Sequence, residues 1–439
     1  MIPNIGLFDI FLGVFYLLII YFLVFRFQSK IKLPNLSFNY FIGALSIKII
    51  ASVTFVLLSI FYYQSGDTFL YFEIAEELRE HLFLNLPETT NLLITPYSGL
   101  EKLDYHPLQV YNYQVERSTT WAFSKIVFFF NLISFGSYLV SSILMGLASF
   151  LGLWLGYHSL AKLYSLSKKL LLIPFFGIPT ALIWSSGILK DTILIGIVGF
   201  LIFIGINIFI HKKNILFNST YFLISVFLLQ ALKPILVFIL LPTFLFWGVL
   251  YFSEVFSSFK HRYLFRVGLV VTILASTFFI SKNLPTDSKY NFDKLTITLI
   301  AFQIDHTNNK EANTAYNLGK MENSFLSVIQ KSPQAINVSL FRPYLWEATN
   351  FPMLVSAMES FLLLLTFFFA IFSLREKIFK IFFLNKELIF FFTFSLAYGI
   401  ITGLTAYNFG ALSRFKIPVV MFFGLGLIIL TNNKSTGND

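Results

Sequence analysis

The chain alternates long apolar stretches with shorter polar ones, and the length of the apolar stretches limits what it can fold into. The first, residues 7–25, reads "LFDIFLGVFYLLIIYFLVF". An α-helix needs about 20 apolar residues to cross the hydrocarbon core of a bilayer. Eleven segments meet or approach that length: 7–25, 42–63, 137–157, 170–187, 189–210, 219–232, 234–252, 264–281, 353–373, 387–406 and 415–431. The sequence therefore predicts an all-α polytopic membrane protein with about 11 transmembrane helices.

Composition and motifs narrow the classes of function. Only 12% of the residues are charged, against about 25% in a soluble domain. The net charge is +10. In a membrane protein, basic residues indicate which loops lie in the cytoplasm, so this charge does not predict binding to nucleic acid, and we expect no nucleic-acid partner. The absence of cysteine excludes thiol chemistry. There is no P-loop, no GxGxxG, no GxSxG and no metal-ligand spacing of histidines, so no cofactor is expected; a divalent metal stays open but is not indicated.

The loops between the predicted spans differ in charge. Every second loop is basic, which places those loops in the cytoplasm. The N-terminus is then outside and the C-terminus inside. The cations of the basic loops are Arg26, Lys30, Lys32, Lys162, Lys168, Lys169, Lys212, Lys213, Lys260, Arg262, Arg266, Arg375, Lys377 and Lys380.

Two long loops, 64–125 and 282–352, fall on the outer side, within what we interpret as one membrane domain spanning residues 1–439. The first opens with Asp67, followed by apolar residues at helical spacing, which predicts an amphipathic helix lying on the membrane. Asp67 is either a helix cap or a catalytic carboxylate at the membrane boundary. In the second loop, 325–331 and 334–341 are predicted to form short amphipathic helices.

The segment "WSSGILKDT", residues 184–192, interrupts an apolar region and carries Lys190 and Asp191. We interpret it as a tight turn between the fourth and fifth spans, at the outer surface, with Gly187 permitting the turn. One interpretation is a polar hairpin tip in which the Asp191 carboxylate interacts favourably with the positive end of the helix dipole. Ionisable groups so close to hydrocarbon are costly, however, and we expect both side chains to face protein or a cavity rather than lipid.

Cations near the hydrocarbon edge on the outer side run against the positive-inside rule. Snorkelling side chains paired with local acids would explain any one of them. Taken together, they predict a site for a phosphate or diphosphate. The predicted phosphate-binding residues are Lys190, Lys233, Arg342, Arg414 and Lys416, and the supporting residues are Asp191, His106, Trp346, Glu347 and Asn408.

This layout resembles the polytopic GT-C glycosyltransferases and the bacterial polysaccharide polymerases. The resemblance rests on Gly66 and Asp67 at the start of an early outer loop, the amphipathic helices, the basic span ends and the second long outer loop. It implies a polyprenyl-phosphate or polyprenyl-diphosphate sugar donor, a glycan or lipid acceptor, and a multi-pass protein of the cytoplasmic membrane of a bacterium. Asp67 would activate the acceptor hydroxyl, while Lys190, Arg342 and Arg414 would hold the lipid phosphate.

Two other classes share this topology. A transporter or flippase would use intramembrane charge, for which Glu359 is the candidate. A non-catalytic subunit of an envelope complex would use the long outer loops as docking surfaces. The sequence indicates no oligomeric state.

Overall fold

The computed structural model describes residues 3, 5–28, 38–103, 117–164, 168–255, 264, 267–268, 295–308 and 314–432. Within these ranges the chain is helical, and the only strand-like pairing is one isolated bridge, Ala315 with Asn408. The helices are α1 (Leu7–Arg26), α2 (Phe38–Tyr63), α3 (Asp67–Leu84), α4 (Leu86–Ile94), α5 (Arg117–Ile133), α6 (Tyr138–Leu163), α7 (Lys168–Phe176), α8 (Pro179–Trp184), α9 (Lys190–Ile210), α10 (Ile215–Leu232), α11 (Pro234–Phe252), α12 (Leu295–Asn308), α13 (Phe325–Phe341), α14 (Phe351–Leu374), α15 (Lys377–Leu384), α16 (Lys386–Thr405), α17 (Phe409–Phe415) and α18 (Ile417–Asn432).

Among the described helices, eight are long and apolar enough to cross a membrane: α1, α2, α6, α9, α10, α11, α14 and α16. Helices α17 and α18 meet the same test only as a pair, and they are bent by 58° where they join. The structure is thus that of a polytopic helical membrane protein, as predicted, with eight candidate spans in the described part of the chain, or nine with the bent pair.

The predicted count of eleven spans is not confirmed. The segment 170–187, expected to be one span, is two short helices, α7 and α8. The break precedes Pro179, whose ring lacks an N–H and disfavours a helical residue before it. The predicted span 264–281 lies almost wholly outside the described residues.

The chain divides into two compact units. Unit 1 comprises Met1–Gly156, Leu182–Phe200 and Phe227–Pro234, and unit 2 comprises Tyr157–Ala181, Leu201–Val226 and Ile235–Asp439.

In unit 1, helices α6 and α9 pack with their backbones in contact. A Cβ atom added to Gly152 would overlap the backbone of Gly196, and one added to Gly156 would overlap that of Gly199. Small residues allow this close approach, which is a common mode of helix association in membranes.

Also in unit 1, helix α3 is covered by protein. Its apolar face is buried against α5 and α4, so the prediction that this helix lies on the membrane with its apolar side in lipid is wrong for that face. Thr68 also hydrogen-bonds the hydroxyl of Tyr138 on α6 at 2.7 Å. The buried residues include Phe69, Leu70, Phe72, Ile74 and Leu78.

Unit 2 is built on α13, α16 and α18, with α14 alongside. Helix α13 runs without interruption through Pro333, where two short helices were predicted. Gly403 of α16 lies against the carbonyl of Ala335 on α13, so these two helices are also closely packed. Tyr316 joins them to the start of α17, because its N–H donates to the carbonyl of Tyr407 at 3.1 Å.

Candidate functional site

Lys190, in unit 1, begins helix α9. Its ammonium donates to Thr119 Oγ1 at 2.7 Å. It also lies 5.5 Å from the centre of the Tyr71 ring, within cation–π range. Three elements therefore fix this ammonium: the first turn of α9, the start of α5, and the inner face of α3.

The next residue, Asp191, is 7% exposed and forms an ion pair with Lys233, with Nζ and Oδ1 3.1 Å apart. Lys233 lies between α10 and α11, where Pro234 restarts the helix. Lys190 and Asp191 thus both contact protein, as predicted, and the structure adds a partner that spacing alone did not identify.

The turn that precedes them is enclosed by protein, because all five residues 185–189 are buried. Its place on the outer side of the membrane stays a prediction. Gly187 is required by packing, because an added Cβ would overlap the ring of Phe55 on α2. The φ of Gly187 is not positive, so the turn does not need a glycine for its backbone conformation. The close contact with Phe55 explains the glycine instead.

Lys48, on α2, is a buried residue that sequence analysis did not single out. It is 1% exposed, and its ammonium donates to the carbonyl of Ser185 at 2.5 Å and to Ser185 Oγ at 2.8 Å. Among the described residues no carboxylate forms an ion pair with it. The signal was present in the sequence, since one lysine interrupts the apolar run "FIGALSIKIIASV".

Asp67 is the first residue of α3 and is exposed. It is not the helix cap: that position belongs to Gly66, whose φ of 127° is one that side chains rarely adopt. Asp67 and Tyr71 are four residues apart, and such side chains are neighbours on one helix face, about 5–6 Å apart at Cβ. The structure therefore places the Asp67 carboxylate one helical turn from the ring that contacts Lys190.

In unit 2, Arg342 follows α13 and pairs with Glu347 through both its Nε, at 3.0 Å, and its terminal nitrogen. Its guanidinium carbon also lies 5.2 Å from the Phe409 ring centre and 5.8 Å from that of Tyr316. Arg342 is thus held by a carboxylate and by aromatic faces.

Burial alone would raise the pKa of Glu347, but hydrogen bonds from Arg342 and from the Tyr344 N–H hold that pKa below its ordinary value. The carboxylate is therefore charged at neutral pH. The stability that the pair contributes is lost only when the pH falls through this lowered pKa.

Two further ionisable residues of unit 2 lie at or contact helix breaks. Lys416 sits between α17 and α18, is 2% exposed, and donates to Ser360 Oγ at 2.9 Å and to the carbonyl of Arg342 at 3.0 Å. Glu359, in α14, accepts a hydrogen bond from the backbone N–H of Thr180 at 2.6 Å. Its carboxylate therefore satisfies one of the open N–H groups at the start of α8.

The remaining predicted residues are dispersed. Asn408 caps α17 by accepting from the Gly410 N–H at 2.7 Å, and Arg414 lies in the last turn of that short helix. Trp346 is 81% exposed and stacks on Tyr344 with ring centres 4.9 Å apart. His106 lies outside the described residues.

The structure therefore forms two clusters. The first, in unit 1, holds Lys190, Asp191 and Lys233, with Asp67 one helical turn from Tyr71; the second, in unit 2, holds Arg342, Glu347 and Lys416. Within the described ranges no group of three His, Asp or Glu side chains is arranged to hold a metal ion.

No protein-family model, no curated protein and no solved structure matches this chain.

Proposed function

We propose that the protein is a membrane glycosyltransferase or polymerase that uses a polyprenyl-phosphate or polyprenyl-diphosphate sugar donor at the outer face of the cytoplasmic membrane. The observation that carries the proposal is the arrangement along α3 in unit 1. Asp67 and Tyr71 share one face of this helix, and the Tyr71 ring lies 5.5 Å from the ammonium of Lys190. An exposed carboxylate thus lies one helical turn from the ring that contacts a cation fixed by three elements, all within one compact unit.

These two groups suit glycosyl transfer. The acceptor oxygen attacks the anomeric carbon of the donor, and the bond from that carbon to the phosphate oxygen breaks. Asp67 takes the proton of the acceptor hydroxyl as general base. The phosphate leaves with the electron pair of the broken bond, and Lys190 stabilises the charge that develops there. Because Lys190 is held by Thr119 and Tyr71, it needs little reorganisation during the reaction.

Lys233 and the unit 2 cations have smaller parts in this proposal. Lys233 already has Asp191 as its partner, and Arg342 has Glu347. A carboxylate partner competes with a phosphate for the cation that it pairs with. We assign the chemistry to Asp67 and Lys190 because of their positions at the starts of α3 and α9, and expect Lys233 and Arg342 to shape and stabilise the protein.

One observation favours the rival class, a transporter or flippase. In unit 2, Glu359 of the spanning helix α14 bonds Thr180 next to the break between α7 and α8, and Lys416 lies at the break between α17 and α18. Discontinuous helices with ionisable groups at their breaks are typical of transporter binding sites. Because Thr180 and Ser360 already bond these groups, we retain the enzyme as the first proposal.

Deletion of the gene in its host tests the proposal. We expect loss of a lipid-linked or surface glycan, with accumulation of donor and of unextended acceptor that external probes can reach. Wild-type protein in vesicles with purified donor and acceptor should restore the product. If the deletion instead leaves the donor accessible only from the cytoplasm, a flippase is the better proposal. If product forms in the vesicles only when a second protein is added, a non-catalytic subunit is the better proposal.

The proposed orientation has its own test, since the chain lacks cysteine. Ser98 and Glu376 are both exposed and lie on loops that the charge pattern assigns to opposite sides. In intact cells we expect an impermeant thiol reagent to label Ser98→Cys but not Glu376→Cys, and to label both after permeabilisation. Labelling of Glu376→Cys in intact cells would reverse the assignment.

A further inference from the structure

Lys48 lies in the middle part of the spanning helix α2, where a buried ionisable group costs several kcal/mol unless it is compensated. Its ammonium donates to Ser185 through both the carbonyl and the hydroxyl of that residue. Most of the other lysines with a described contact lie at helix ends or on loops. A residue so costly in this position must stabilise something that the apolar neighbours cannot.

What it contacts is irregular backbone inside the protein. Residues 185–189 join α8 to α9 and are not helical, so their carbonyls need other partners, as buried backbone in a membrane must. The carbonyl of Gly187 accepts from Thr192 Oγ1 at 2.7 Å, and that of Leu189 accepts from the Thr192 N–H at 3.1 Å. The carbonyl of Ser185 accepts from Lys48. The turn is thus closed on itself at one end and tied to α2 at the other.

The residue that follows this turn is Lys190. We propose that Lys48 is a positioning residue: by holding Ser185 it fixes the start of α9, and so keeps the ammonium of Lys190 at Thr119 and Tyr71. This inference rests on the proposed function, since it gives Lys48 its part through the phosphate-binding residue. A positioning role differs from a general packing role, because substitution of Lys48 should then change lipid binding only when Lys190 is present.

The first experiment needs no substrate. Thr119→Cys and Lys190→Cys are combined in the cysteine-free protein, and a short bifunctional thiol reagent is used to join α5 to α9. Adding Lys48→Met should slow cross-linking about tenfold, the shift that loss of a hydrogen bond to a charged group can produce. Lys48→Arg should recover part of the rate, because a guanidinium can still donate to Ser185.

A matched control separates positioning from general destabilisation. Lys331, in unit 2, also donates to a backbone carbonyl, that of Leu318 at 2.6 Å. Lys331→Met makes the same chemical change and should leave the cross-linking rate unaltered. If Lys48→Met does not accumulate in the membrane, Ser185→Ala replaces it in the comparison, since it removes one of the two acceptors and keeps the lysine. An unchanged rate with Ser185→Ala and with any Lys48 variant that inserts would overturn the inference.

The second experiment measures affinity for polyprenyl phosphate in nanodiscs. Lys48→Met should weaken binding about tenfold in the wild-type background and have no further effect in a Lys190→Met background, because coupled residues are not additive. Equal losses in both backgrounds would mean that Lys48 acts on stability alone and would overturn the inference. If the wild-type protein does not bind this lipid while cross-linking still depends on Lys48, the proposed function fails and the positioning of the turn stands.

Discussion

Asp67→Asn is expected to lower the rate of glycan formation about a hundred- to ten-thousandfold, the usual contribution of general acid–base catalysis. Asparagine keeps the shape of the side chain but cannot take a proton from the acceptor. Gly66 holds the cap position of α3, so the substitution should leave the helix and the amount of protein in the membrane unchanged. The rate is measured with purified protein in vesicles, and the affinity for polyprenyl phosphate should be retained.

Glu80→Gln is the matched control for this substitution. Glu80 is an exposed carboxylate on the same helix, more than three turns further along, so the same change of acid to amide should have little effect on the rate. Wild-type activity in Asp67→Asn would show that the carboxylate serves only the helix dipole at the start of α3, and the proposed base would have to be sought elsewhere.

The largest effect on stability is expected from Asp191→Asn, because it leaves Lys233 in a protein environment without its carboxylate. Both side chains are largely buried, 10% and 20% exposed. Removing one partner of a buried ion pair typically costs about 3–5 kcal/mol, chiefly through the charge left behind. The free energy of unfolding in detergent, measured by denaturant titration, should fall by that order.

The double variant Asp191→Asn with Lys233→Met should recover part of the loss, since it removes the remaining charge. For comparison, Glu76→Gln breaks a pair whose carboxylate side chain is 41% exposed, and such pairs contribute about 1 kcal/mol or less. If the double variant is less stable than Asp191→Asn alone, Lys233 is stabilised by something other than its ion pair.

Much of the fold could be predicted from the sequence, because the cost of unsatisfied backbone in lipid leaves little choice but helices. Span α9 and its charged first turn followed from this rule and from the position of Lys190 in an apolar region. The break at Pro179 was also encoded locally. The prediction of one span missed this break because the residues on both sides of Pro179 are apolar, and mean hydropathy does not distinguish a proline that ends a helix.

The partners of the polar residues could not be predicted in the same way. Lys48 and Ser185 are separated by 137 positions, and Glu359 and Thr180 by 179. Nothing local in either segment indicates the other, because such pairs depend on how the helices pack. The sequence does show which residue needs a partner. A lone lysine or glutamate in an apolar run predicts a buried contact, but it does not identify the residue contacted.

The close contact of α6 with α9 through Gly152, Gly156, Gly196 and Gly199 bears on motion. At these glycines the two backbones touch directly, with no side chain between them whose rotamer could change to let the helices slide. Packed interfaces of this kind resist continuous deformation. We therefore expect α6 and α9 to stay fixed if the proposed substrate enters the first cluster. An opening would then involve elements that contact this pair through side chains, such as α3, whose Thr68 bonds Tyr138 on α6.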